Sequence, residues 1–186
     1  MQFQEIIDTL DEFERLDNLD SISREELETL ANILKTNRSL KTLKLNNQQL
    51  NDVCVSILVN GLTDNNTLTE LDLSSNNITN AGAECIAVLL KVNSTLKILN
   101  LKSNKIENIG ANQLVNALKE NHSLETIQLD ENKINDLNVS TVKSIFKTNS
   151  TLRVFSLYRN PFNAATRTQL KECTQIAPSN SRINHS

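Results

Sequence analysis

Apolar and polar positions repeat along this chain with a period of 28 residues. Five segments of eleven residues follow the pattern LxxLxLxxNxL with small departures. They begin at Leu40, Leu68, Leu96, Leu124 and Leu152. The apolar fourth and sixth positions of each segment flank a polar or small residue, as in a short strand with one buried face. Because self-similarity at a fixed period determines the architecture, we predict five repeats over residues 40–176, numbered one to five.

A helical segment follows each predicted strand, with apolar residues spaced three and four apart. Examples are Val55, Leu58 and Leu62 after the first strand, and Val139, Val142, Ile145 and Phe146 after the fourth. One strand and one helix cannot cover each other fully, so each repeat must be buried by the next. Strands stack at about 4.8 Å and helices at about 8–10 Å. The stack must therefore curve into an open arc, with a parallel concave sheet and convex helices.

The segments and their spacing resemble the ribonuclease-inhibitor type of leucine-rich repeat, which also occurs in NOD-like receptors, RanGAP and the C-terminal domain of tropomodulin. This resemblance implies an α/β fold, a leucine-rich repeat solenoid shaped as a short horseshoe.

The ninth position of the segment is asparagine in four of the five copies. The four residues are Asn76, Asn104, Asn132 and Asn160. A side-chain amide has both donors and an acceptor, so it can satisfy backbone groups of turns in adjacent repeats. We predict a structural ladder of these asparagines, loosened at Gln48, which takes the same position in the first repeat.

The two ends of the chain depart from the repeat. The period projected backwards puts charged residues where apolar ones should stand, at Glu12, Arg15, Asp17 and Asp20. One helical stripe runs instead through Phe3, Ile6, Ile7, Leu10, Phe13 and Leu16. It predicts that residues 1–22 form an N-terminal capping helix, the alternative being a detached helix that binds a partner.

Ser23 and Glu26 form a capping-box pattern, which predicts that residues 23–39 carry the helix of a truncated leading repeat. At the other end, a last helix carrying Leu170 and Cys173 is expected to close the stack. Residues 177–186 lack apolar periodicity and are predicted to be a mobile tail.

Composition agrees with one soluble domain and a monomer. No apolar run approaches the roughly eighteen residues needed to span a bilayer, so we expect no membrane insertion. The net charge of −3, the interspersed basic residues and the scarcity of aromatic residues disfavour nucleic-acid binding. The acidic, amphipathic N-terminus is unlike a signal peptide, so a cytoplasmic location is expected. The Asn-rich, Gly-poor composition also suits a bacterial effector delivered to host cytosol.

Candidate chemistry is sparse in the sequence. Cys54, Cys85 and Cys173 fall on helices at spacings that match no metal-ligand pair, so they are interpreted as buried structural thiols. His122 and His185 stand beside no recognisable nucleophile. The three glycines are isolated and form no phosphate loop. We therefore expect no enzyme activity, no metal and no cofactor.

Five Asn-x-Ser/Thr motifs recur at one repeat position, directly after each helix. They begin at Asn37, Asn65, Asn93, Asn121 and Asn149. We interpret them as helix ends in which asparagine adopts the left-handed conformation, and not as glycosylation sites.

Function is expected on the concave face, at the third and fifth positions of each segment and at the edge formed by the seventh and eighth. Tyr158 and Arg159 stand out because both residue types are enriched in interface hot spots. Glu70 with Asp72, and Asp130 with Glu131, are acid pairs available to basic partner groups. The predicted partner-binding residues are Lys44, Glu70, Asp72, Ile98, Asn100, Lys102, Gln128, Asp130, Val154, Ser156, Tyr158 and Arg159.

The leading hypothesis is a non-catalytic module that binds a partner protein through the concave sheet and its edge. Three alternatives are open. A regulator of a GTPase, as the RanGAP resemblance permits, would supply an arginine in trans, and the sequence identifies none. The others are an actin-capping domain of the tropomodulin type and an effector that engages host proteins.

Overall fold

Strands and helices alternate along the chain, as the repeat pattern predicts. The computed structural model describes residues 3–17, 19, 21–176 and 182–184. The strands are β1 (Arg15–Leu16), β2 (Thr42–Lys44), β3 (Glu70–Asp72), β4 (Ile98–Asn100), β5 (Thr126–Gln128), β6 (Val154–Ser156) and β7 (Arg182–Asn184). The helices are α1 (Phe3–Asp8), α2 (Arg24–Leu34), α3 (Asp52–Leu62), α4 (Asn80–Val92), α5 (Asn108–Ala117), α6 (Val139–Thr148) and α7 (Ala164–Ile176).

The seven strands form one open parallel sheet in chain order. From β2 to β7 each paired residue lies 28 positions from its partner, so the fourth position of every segment faces the same layer. Leu43, Leu71, Leu99, Ile127 and Phe155 form that layer and are fully buried between sheet and helices. The predicted α/β leucine-rich repeat solenoid is confirmed.

The ninth-position asparagines connect each turn to the next. The Oδ1 of Asn104 accepts from the Ile78 N–H at 3.0 Å, and its Nδ2 donates to the main-chain oxygens of Leu73 at 3.0 Å and Leu101 at 3.1 Å. Asn76, Asn132 and Asn160 repeat this geometry. Gln48 breaks it, because its buried Oε1 has no hydrogen-bond partner within the described part of the chain.

A second asparagine ladder runs through the Asn-x-Ser/Thr motifs, at the C-terminal ends of the helices. All five asparagines are buried. The Oδ1 of Asn121 accepts from the Leu124 N–H at 2.7 Å, and its Nδ2 donates to the Leu90 oxygen at 2.7 Å. The expected left-handed conformation is wrong, because Asn93 (φ −79°, ψ 126°) and Asn149 (φ −84°, ψ 114°) are extended.

Left-handed backbone occurs instead at the eighth position of each segment, in the turn after the strand. Its φ angles lie between 55° and 58°. The residues are Asn47, Ser75, Ser103, Glu131 and Arg159. None is glycine, so each carries the steric cost of a Cβ in this region. At the four positions other than Asn47 the turn is therefore imposed by the stack and not by residue preference.

The N-terminus differs from the predicted capping helix. Helix α1 ends at Asp8, a 3-10 turn covers Leu10–Glu12, and Arg15–Leu16 form the edge strand β1. Leu16 pairs with Leu43, a spacing of 27 residues. The 28-residue projection missed this strand by one position. The capping box predicted for α2 is present, with the Glu26 N–H donating to Ser23 Oγ at 3.2 Å.

The C-terminus carries one more strand than predicted. Leu170 and Cys173 are buried on α7, as expected. Beyond them, β7 pairs with β6, the Leu157 N–H donates to the Asn184 oxygen at 2.6 Å, and Ile183 is buried. Residues 182–184 therefore differ from the predicted mobile tail, because Ile183 continues the apolar register. The rest of 177–186 lies outside the described residues.

Candidate protein-binding surface

The concave face presents an apolar stripe across three repeats. Parallel pairing places Ile98, Thr126 and Val154 side by side on β4, β5 and β6. Ile98 and Val154 are apolar, Thr126 between them contributes a methyl and a hydroxyl group, and we call these three residues the apolar stripe. Ile98 is 38% exposed, although its neighbours along β4 are either buried or polar. Asn100 and Gln128, two residues further along their strands, are half-buried and polar. The stripe is thus solvent-accessible apolar surface within a polar face.

The N-terminal half of the concave face is polar and internally paired. Lys44 Nζ lies 3.8 Å from Glu70 Oε1. Asp72 accepts hydrogen bonds from the Ser74 N–H at 2.8 Å and from Asn100 Nδ2 at 3.0 Å. The predicted acid pair Glu70 and Asp72 lies on the concave face. Both carboxylates are already in contact with neighbouring repeats.

An edge network joins the ends of β4, β5 and β6, and it consists of Lys102, Ser103, Glu131, Tyr158 and Arg159. Glu131 accepts from Ser103 Oγ at 2.7 Å and from Arg159 Nη1 at 3.0 Å, and Lys102 Nζ lies 3.4 Å away. The Arg159 guanidinium lies 5.2 Å from the centre of the Tyr158 ring. Tyr158 is 43% exposed. The network offers a partner an aromatic ring and a positioned arginine.

The edge network shifts the titration of its own charged groups. The hydrogen bond from Ser103, followed by that from Arg159, lowers the pKa of the Glu131 carboxyl below its usual value. Contact with Tyr158 and then Glu131 raises the pKa of the Arg159 guanidinium. Glu131 is therefore charged, and both cations beside it keep a partner, across the neutral pH range.

Asp130 and Ser156 differ from the expectation that they face a partner. Both are buried. The Asp130 carboxylate accepts from Ser156 Oγ at 2.5 Å and from the Tyr158 N–H at 2.6 Å. Asp130 thus fixes the turn that carries Tyr158, and of the predicted acid pair only Glu131 reaches the edge.

A second row of charge, at the amino ends of the strands, was missed by the sequence reasoning. Lys97 Nζ lies 3.8 Å from Glu125 Oε1, and Arg153 Nε lies 4.0 Å from Glu125 Oε2. We call these three residues the amino-end row. They occupy the second position of the segment in three consecutive repeats, directly before the strand, so the periodic pattern contained a signal for them.

The cysteines contribute to packing. Cys173 is buried, whereas Cys54 and Cys85 are half-buried and pack against the core. Burial raises the pKa of the Cys85 and Cys173 thiols. Among the described residues, no group of three or more His, Cys, Asp or Glu side chains is placed to hold a metal ion. No helix in that part of the chain is long and apolar enough to cross a membrane.

Known proteins that resemble this chain contain the same kind of repeat. The profile of the family described as Leucine Rich repeat matches residues 64–87 and 92–114. These segments cover the end of repeat one and most of repeats two and three. The repeated strand–turn–helix units define a leucine-rich repeat solenoid. The matched segments and the 28-residue spacing resemble the ribonuclease-inhibitor type of leucine-rich repeat.

Solved structures of other proteins share this fold, among them the two that follow. Actin-binding site 2 of leiomodin-1 superposes with a TM-score of 0.62 and 19% identity, over 82% of this chain and 87% of that one. The C-terminal domain of tropomodulin from Caenorhabditis elegans superposes with a TM-score of 0.64 and 15% identity, over 83% of this chain and 93% of that one. A search of curated protein sequences gives no match.

Proposed function

We propose that this chain is a non-catalytic module that binds another protein through the concave sheet and its edge. The observation that supports this most directly is the apolar stripe, with Ile98 exposed at the centre of the concave face. Protein interfaces combine an apolar core with a polar rim. The stripe provides such a core, and the edge network and the amino-end row provide a rim.

The size of the surface agrees with this function. Five strands, β2 to β6, at about 4.8 Å spacing give a concave span of about 20 Å. A standard interface buries about 800 Å² on each partner. A loop, a helix or a small domain of the partner fits this span. Tyr158 and Arg159 are of the residue types that contribute most to binding energy in such interfaces.

The experiment compares two matched variants, Ile98→Glu on the concave face and Val88→Glu on the exposed surface of α4. Both place a carboxylate on an exposed apolar side chain, of 38% and 58% exposure. Tagged wild type and variants, checked for equal circular dichroism, capture proteins from cell lysate for quantitative mass spectrometry. We expect Ile98→Glu to lose a captured protein that wild type and Val88→Glu retain. Loss confined to Val88→Glu would place binding on the helices and reject the proposal.

Actin binding is a second candidate, because one solved structure that shares this fold is described as an actin-binding site. Similarity of fold at 19% identity does not carry the contact residues, so the test must be direct. Sedimentation of wild type with filamentous actin, and a capping assay at filament ends, provide it. Binding that is lost in Ile98→Glu and kept in Val88→Glu would support actin as the partner of the concave face.

A further inference from the structure

The apolar stripe lies between two rows of charge that share one arrangement. In the amino-end row the carboxylate of Glu125 lies between Lys97 and Arg153, at 3.8 and 4.0 Å. In the edge network the carboxylate of Glu131 lies between Lys102 and Arg159, at 3.4 and 3.0 Å. In both rows the fourth repeat supplies the acid and the flanking repeats supply the bases.

A partner therefore meets basic groups at both ends of the strands. Each row has two cations for one carboxylate. In the edge network the cations are also the more exposed groups, with side chains 46% and 64% exposed for Lys102 and Arg159 against 30% for Glu131. Asp130 lies beneath this edge, but it is buried and bound to Ser156 and the Tyr158 N–H. Contact at the edge network thus favours an anionic group. In the amino-end row, where the side chains of Lys97, Glu125 and Arg153 are 42%, 44% and 53% exposed, the excess of one positive charge alone favours it.

Arg159 is held in place before any partner arrives. Its guanidinium stacks on Tyr158 and donates to Glu131. A positioned planar guanidinium loses little conformational entropy when it pairs with another carboxylate, and it matches that group better than lysine does. The edge network is in this way suited to a partner carboxylate.

The spacing of the two rows sets the length of the partner segment. Lys97 and Lys102 are five residues apart along one repeat, which corresponds to about 16 Å of extended chain. The stripe lies between them. An extended segment of about five residues, or a helix of about eleven at 1.5 Å per residue, spans this distance.

We infer, on the basis of the proposed function, that the partner presents an acidic segment with an apolar side chain between its acidic groups. This segment lies along the strand direction over repeats three to five. Its apolar side chain contacts Ile98, Thr126 and Val154, and its carboxylates contact the basic residues of the two rows.

The test uses a variant in which the charge of both rows is inverted while each ion pair is kept. The substitutions are Lys97→Glu, Glu125→Lys, Arg153→Glu, Lys102→Glu, Glu131→Lys and Arg159→Glu. Because every pair retains opposite charges, this variant should fold as wild type does, and circular dichroism and thermal unfolding check that it does. A random peptide library displayed on phage is selected separately on wild type and on the inverted variant.

We expect wild type to select peptides in which Asp and Glu flank an apolar residue, and the inverted variant to select Lys and Arg in their place. Synthetic peptides chosen by wild type should bind the inverted variant at least about tenfold more weakly. Selected peptides that are neutral or basic, equal affinity for both proteins, or no selection at all would overturn the acidic segment. The effect of Ile98→Glu on partner capture separates the two proposals. If the acidic segment is overturned but Ile98→Glu still abolishes capture, the concave binding surface stands alone. If Ile98→Glu has no effect on capture, the concave binding surface is rejected as well.

Discussion

The side-chain Nδ2 of Asn121 donates a hydrogen bond to the main-chain oxygen of Asn93 at 3.1 Å. The same group donates to Leu90, also in the preceding repeat, and the Oδ1 accepts from the Leu124 N–H at the start of the following repeat. Asn93 makes the equivalent contacts to the repeat before it. Each repeat is thereby linked to its predecessor through this buried amide, in addition to the ninth-position asparagine, the sheet and the apolar core.

Asn121→Ala is predicted to destabilise the fold by about 3 kcal/mol or more, because several buried backbone groups lose their partners at once. Urea unfolding followed by circular dichroism measures the effect. The control is Asn116→Ala on the exposed surface of α5, which should change stability by less than about 0.5 kcal/mol. Equal losses of stability in Asn121→Ala and Asn116→Ala would show that the Asn121 amide does not hold the repeats together.

Ser75→Val is predicted to destabilise by about 1–2 kcal/mol, since a β-branched residue must adopt the left-handed conformation at φ 56°. Ser75→Gly should change stability by less than about 1 kcal/mol, because relief of strain offsets the greater freedom of the unfolded chain. Ser74→Val, at a neighbouring residue with ordinary φ, is the control. Thermal unfolding compares the stability of the three variants. A Ser75→Val variant as stable as wild type would mean that the turn can adopt another backbone conformation at residue 75.

Ile183→Ala is predicted to destabilise by about 2 kcal/mol, because it removes buried side-chain volume from β7. It should also speed hydrogen exchange at the Leu157 amide, which donates to the Asn184 oxygen. Asn184→Ala, whose side chain is exposed, is the control and should alter neither property by much. Unchanged protection of Leu157 in Ile183→Ala would show that β7 is not held by this side chain.

Glu131→Gln is predicted to lower stability at pH 7 and to leave stability at low pH unchanged. The pKa of Glu131 is lower in the folded than in the unfolded chain, so its carboxylate stabilises the fold above the unfolded value, about 4.3. This contribution is lost as the pH falls through the lower folded value. Urea unfolding at several pH values between neutrality and about pH 3 measures the free energy of unfolding of wild type and of Glu131→Gln. The two free energies should converge as the pH falls. A constant difference over that range would contradict the assignment.

The central repeats were predictable because one pattern specifies each of their features. Leucines at the first, fourth and sixth positions define the strand and its buried side, and the asparagine at the ninth position defines the turn. The strands β2 to β6 accordingly begin where the pattern places them. The ends were harder, because β1 is offset by one residue and β7 has a single apolar residue, Ile183, to mark it.

Helix α6 shows a further limit of periodic reasoning. Helices α3, α4 and α5 begin at Asp52, Asn80 and Asn108, 28 residues apart, but α6 begins at Val139, three residues later than this spacing gives. Asp136 instead accepts a hydrogen bond from Thr166 Oγ1 at 2.7 Å, and Asn138 caps the helix through the Thr141 N–H. A side-chain contact to the next repeat has replaced the first turn of helix, and spacing alone does not contain that information.

The candidate surface was predicted in outline and corrected in detail. The third and fifth positions of each segment lie on the concave face, because successive side chains along a strand point to opposite faces of the sheet. Asp130 and Ser156 could not be separated from their exposed neighbours, since their burial depends on a mutual hydrogen bond across repeats. Lys97, Glu125 and Arg153 directly precede their strands, and the alternation of residues within a strand does not include that position.

Both asparagine ladders connect groups one repeat apart, and this has a consequence for the length of the molecule. A duplicate of residues 68–95 inserted after residue 95 would bring its own donors and acceptors in the correct order, and the neighbouring repeats would keep theirs. Each added unit would extend the concave sheet by one strand, about 4.8 Å. A unit inserted before β2 would meet the 27-residue offset instead. The solenoid can thus be lengthened by inserting whole 28-residue repeats between its central repeats, but not by adding a repeat before β2.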